Sequence, residues 1–246
     1  MRPAQYYKSN PRALSFREVA RSSGLVRLPF AYIASRFMQP SGQTWLPYLW
    51  AELQCEEQDL TKRFLKATDA HRTELARLGF AQVLPHKSRR LLNPEILDQG
   101  GIWYLSGCRR HFCTLSYYVR LHGPLPCTSE REFVGVAFTA VFSQEILSCT
   151  NERYHFDPAP GHRVFLCPTR DVRLLHRHFL ERVSKGAHLP REFSDTPTLQ
   201  AWFDSNAVEV FEHHLSRGLY MPVSDAEVEL ARVRRFHRFQ KDPNDA

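Results

Sequence analysis

Apolar positions recur along this chain with two different periods, and the switches between them outline the fold. In the stretch after Pro40-Ser41-Gly42, Leu49, Leu53, Leu60, Phe64, Leu65, Ala67, Leu75 and Leu78 stand at near-helical spacing. This predicts one long helix, or two joined near Gln58, stopped at Gly79, a residue that takes the left-handed cap readily. From Ile102 the period becomes two. Ile102–Ser106 follows Gly100-Gly101 as a short strand, and His111, Cys113, Leu115, Tyr117, Val119 and Leu121 then share one face of the next. Phe133–Ser143 is apolar on both faces and reads as a central strand, followed by Ile146–Cys149 and Arg163–Cys167. Short turns between short strands predict antiparallel pairing, because parallel neighbours need long crossovers.

Helical spacing returns at Asp171–Lys185, which Gly186 stops, and again from Thr196-Pro197 to about Arg217-Gly218. Ser224 and Glu227, three apart, form a capping box for a last helix through Phe239. The expected fold is α+β: an antiparallel β-meander of about five strands, flanked by a long N-terminal helix and C-terminal helices that pack on one face of the sheet.

Charge changes the picture at the N-terminus. The chain of 246 residues carries a formal net charge of +7. Residues 1–40 hold Arg2, Lys8, Arg12, Arg17, Arg21, Arg27 and Arg36 against the single acid Glu18, so nearly all the surplus lies there. Within this arm the apolar run from Leu25 to Met38 is broken by Arg27, Pro29 and Arg36, too short and too charged to span a bilayer of about twenty apolar residues. Cations beside Leu25, Leu28, Phe30, Ile33 and Phe37 spell a helix that lies on an anionic surface. Arg21, Leu25, Arg27, Phe30, Ile33, Arg36 and Phe37 are the expected membrane-contact residues. A transit peptide or an ordinary core helix fits the same letters. The expected organisation is a basic amphipathic arm at 1–40, one α+β domain at 41–241 and a disordered tail at 242–246.

Candidate chemistry is sparse. Cys55, Cys108, Cys113, Cys127, Cys149 and Cys167 include no CxxC pair, and thiols within apolar strand patterns read as reduced core residues of a cytoplasmic protein. Neither a secretory signal nor a cofactor is expected. Cys108, His111 and Cys113 offer three soft ligands on one hairpin, one short of a tetrahedral metal site. Cys149 with His155 and Asp157 has the residue types of a thiol nucleophile, its base and an orienting acid. Phosphate-cradling motifs such as GxGxxG and GxxxxGK[ST] are absent. Arg232, Arg234, Arg235 and Arg238 among phenylalanines form a candidate nucleic-acid surface.

The run LARLGF, then FTAVFSQEILSCTN, DPAPGH and LLHRHFL, resembles an uncharacterised group of bacterial proteins over roughly residues 60–183. The resemblance implies a soluble α+β domain behind an N-terminal membrane-associated segment, and no activity. The functional expectation is therefore a non-catalytic binding or scaffold module, held to an anionic membrane surface or a protein partner by its arm. The alternatives are an enzyme with a Cys/His site at the sheet rim, or nucleic-acid binding through the C-terminal arginines.

Overall fold

A computed structural model describes residues 6–23, 28–38, 41–45, 53–87, 96–122, 129–152, 156–186 and 188–240. The chain begins with strand β1 (Tyr6–Ser9), helices α1 (Phe16–Ser23) and α2 (Leu28–Phe37), and strand β2 (Ser41–Trp45). Helix α3 (Lys62–Arg77) precedes strands β3 (Phe80–Lys87), β4 (Ile96–Ser106), β5 (His111–His122), β6 (Ser129–Val141), β7 (Ile146–Thr150) and β8 (His162–Leu166). Helices α4 (Val172–Val183) and α5 (Thr196–Ser216), the short strand β9 (Tyr220–Pro222) and helix α6 (Asp225–Gln240) complete it.

The fold is α+β, but its sheet departs from the expected meander in three ways. It has six strands in the order β3-β4-β5-β6-β7-β8, and a separate three-stranded sheet runs β2-β1-β9. β3 escapes a periodicity reading because Pro85 interrupts it. As an edge strand it can carry a residue with no N–H to give. The last pair, β7 with β8, is parallel. Asn151 extends the ladder of β7 by accepting from Val136 N at 2.7 Å. The turn at Ala159–Gly161 then restarts the chain beside the beginning of β7, where Ile146 N donates to Gly161 O at 2.8 Å. Leu49 lies outside the described residues, and helix α3 covers the part of the expected helical stretch after Gln58. It starts where the Thr61 side chain caps it by accepting from Phe64 N, and it ends before Gly79, which takes φ +79°.

Helices cover both faces of the large sheet, not one. Phe64 and Leu75 of α3 and Leu175 and Phe179 of α4 bury Ile102, Cys113, Leu115, Tyr117 and Phe138 on the first face. On the second, Phe203 of α5 stacks on Trp103 with ring centres 3.6 Å apart, and Leu199, Trp202 and Phe193 close over Leu105 and Phe112.

The N-terminal residues are built into this body. β1 pairs antiparallel with both β2 and β9, so residues on either side of the expected boundary at 40 share one sheet. The Glu18 side chain is fully buried. Its carboxylate accepts from Ser15 N at 2.7 Å, Asp157 N at 2.5 Å and the Arg217 guanidinium at 2.8 Å. Burial alone would raise its pKa, but the Arg217 charge and the two backbone donors outweigh that and bring it to about 2.

A depressed acid stabilises the fold above its unfolded pKa and loses that contribution as pH falls through the folded value. For Glu18 the window lies between about 4.5 and about 2. Glu18→Gln leaves the Arg217 cation without its carboxylate and is expected to cost about 3 kcal/mol at neutral pH. In urea titrations the gap between wild type and variant should narrow as pH drops through that window. A pH-independent gap would show that the carboxylate charge contributes nothing.

Candidate functional site

Helix α2 presents the most distinctive surface. Phe30, Ile33 and Phe37 stand at i, i+3 and i+7, hence on one stripe, and are 81, 59 and 77% exposed. Met38, next in the chain, and Phe16 of α1 are exposed as well. The opposite side of α2 is anchored: Tyr32 packs edge-on against Phe16, and buried Ser35 donates to Tyr32 O at 2.7 Å. The Arg36 guanidinium donates to the carbonyls of Arg12 and Leu14 and to the Tyr32 hydroxyl, while Arg12 Nε donates to Met38 O at 3.1 Å. These described partners are neutral oxygens, not carboxylates. Arg17 is exposed as well. Arg21, in contrast, is turned to the body, where it pairs with the Asp157 carboxylate. Lys8 pairs with Glu227 at 2.5 Å. Of the seven predicted contact residues, Phe30, Ile33, Arg36 and Phe37 lie together, Arg21 does not join them, and Leu25 and Arg27 fall outside the described residues.

The thiol and imidazole candidates separate. Cys108 is exposed in the β4–β5 turn, its Sγ 3.2 Å from Ser106 Oγ and 3.9 Å from His111 Nδ1. His111 lies edge-on to Phe179, and burial lowers its pKa, with His176 and Arg110 adding to the effect. Cys113 is wholly buried, and burial raises its thiol pKa. Among the described residues no three His, Cys, Asp or Glu side chains are placed to hold a metal ion. Cys149 sits in the first-face core beside Cys167, whereas Asp157 is engaged by Arg21 and by Ser15 Oγ at 3.1 Å. His155 lies outside the described residues. Arg232 is exposed and bonded to Glu229 one turn earlier; the side chains of Arg234, Arg235 and Arg238 are outside the described set.

A polar row across the second face of the sheet has no sequence motif. Register aligns His86, Gly101, Ser116 and Gly135 on β3, β4, β5 and β6. Neither glycine has a side chain, so the His86 ring lies over Gly101 and the Glu152 carboxyl over Gly135. Ser116 Oγ donates to Glu152 Oε2 at 3.3 Å, and burial raises the Glu152 pKa. Burial likewise lowers His86 to about 4, a shift that the Leu84 carbonyl only partly offsets. The sequence signal was two glycines opposite one serine, legible only once strand register is known.

Comparison with protein-family models, curated proteins and solved structures finds no match to the chain, so function rests on this geometry.

Because a Cβ at Gly135 would fall on the Glu152 carboxyl, Gly135→Ala is expected to destabilise by about 2 kcal/mol. Combined with Glu152→Ala, the loss should be smaller than the sum of the two single losses by about 1 kcal/mol. Additive losses in chemical denaturation would show that the two positions do not meet.

Proposed function

We propose that the protein is a non-catalytic binding module that docks reversibly on an anionic membrane surface through helix α2. The observation that carries this reading is the exposed Phe30–Ile33–Phe37 stripe on a helix that carries Arg36 and is bonded to Arg12. Each cation near such a surface is worth about 1 kcal/mol, and each apolar side chain that enters the interface adds about 2 kcal/mol at most. A handful of such contacts supports reversible attachment. Among the described residues no helix is long and apolar enough to cross a membrane, which fits a helix lying in the surface plane. Helix α1 is fixed to the body through Glu18 and Arg21, and Tyr32 of α2 packs on its Phe16, which supports the helix that carries the stripe.

The full chain is expected to sediment with phosphatidylserine-containing vesicles at low salt and to be largely released at 1 M salt, where the Debye length is about 3 Å. Phe30→Ser, Ile33→Ser and Phe37→Ser combined should abolish sedimentation without lowering the melting temperature, since these side chains are exposed. Equal recovery of wild type and triple variant in the supernatant would reject the reading.

A further inference from the structure

We propose that Cys149 and Cys167 form an oxidisable dithiol, a modification site that peroxide converts into an intrachain disulfide. Their Sγ atoms are 3.6 Å apart, and no other two cysteine sulfurs among the described residues come within hydrogen-bond distance. The parallel pairing of β7 with β8 creates this proximity. Cys149 opposes Phe165, and Cys167 follows directly after β8, where its N–H donates to Thr150 O at 2.8 Å. An antiparallel hairpin would have carried Cys167 towards Ile146 instead.

The two thiols differ in the way that such a reaction needs. Cys167 is partly exposed and open to a small oxidant, whereas Cys149 is fully buried. Burial and the neighbouring sulfur push the Cys149 thiol up to about 12, so it stays protonated. The Arg182 guanidinium stacks on the Phe165 ring at 3.8 Å and lies beside Cys149. Its buried Nε has no hydrogen-bond partner among the described residues. A cation held there favours the negative charge that develops on the Cys149 sulfur as that thiol gives up its proton.

The Cys167 thiolate attacks one peroxide oxygen, the O–O bond breaks, and water leaves after protonation, giving a sulfenic acid. The Cys149 sulfur then attacks the Cys167 sulfur, forming the S–S bond as the S–O bond breaks. Hydroxide departs with the Cys149 proton as a second water. Two thiols lose two electrons and one peroxide is reduced to two waters. The sulfurs must approach from 3.6 Å to about 2.05 Å. β8 is the edge strand of the sheet, so a shift at its end disturbs the fewest neighbours.

The test uses the full reduced chain, exposed to hydrogen peroxide and then alkylated in acid for peptide mass analysis without reductant. The expected product joins the Cys149 and Cys167 peptides, two hydrogens lighter, independent of protein concentration and reversed by dithiothreitol. In Cys149→Ala, dimedone should trap a sulfenic acid at Cys167. Arg182→Met should slow linkage by about threefold or more. Full alkylation of both Cys149 and Cys167 under conditions that have already oxidised the exposed Cys108 would overturn the proposal.

Discussion

The buried carboxylate of Glu18 is the constraint on which the placement of the first forty residues depends. A carboxylate removed from water costs several kcal/mol unless its charge is met and its lone pairs are filled. Here one cation and two backbone donors do so, and they come from three separate parts of the chain: the start of α1, the segment before β8 and the end of α5. None of these segments can shift far without exposing an unmet charge. The same cluster takes in Arg21 and Ser15 through Asp157, so charge and backbone hydrogen bonds hold the arm alongside its buried Tyr6 and Val19.

That arrangement explains what could be read from the letters and what could not. Gly79, Thr196-Pro197 and the Ser224–Glu227 box carry their conformational meaning locally, and each ends or begins a helix where the spacing placed it. The alternation in β5 likewise reports a face that is buried in the structure. Pairing is different. Whether β8 runs with or against β7 depends on where the Ala159–Gly161 turn docks, and that is decided by contacts distant in sequence. The short strands β1, β2 and β9 carry no periodicity at all, because three to five residues are too few to display one.

The candidate sites divide along the same line. Cys108 and His111 meet because a hairpin turn brings them together, as neighbours in sequence can. Cys149 and Asp157 are only eight positions apart, yet one enters the apolar core and the other joins the ion cluster around Glu18. Conversely, Cys149 meets Cys167, and Ser116 meets Glu152, across strands whose register no local pattern specifies. Nearness along the chain was a weak guide to nearness in space for any group placed by the sheet.

In the arm, the number of cations does not say how each one is used. Counting cations suggested a uniformly basic tether, but the protein uses them in two ways. Lys8 and Arg21 are matched with acids of the body and hold the arm in place. Arg12 and Arg36 bond to neutral oxygens, and no carboxylate among the described residues pairs with them. Arg36 follows Phe30 and Ile33 by six and three positions, and its inward turn towards Leu14 keeps the guanidinium from lying over the apolar stripe. Helical phase leaves the phenylalanines on one side of the helix, and Arg36 on another side bonds carbonyls at the turn through Pro11–Ala13. Surface chemistry and local folding are set by the same side chain, so a change at Arg36 alters the presentation of the stripe as well as the charge beside it.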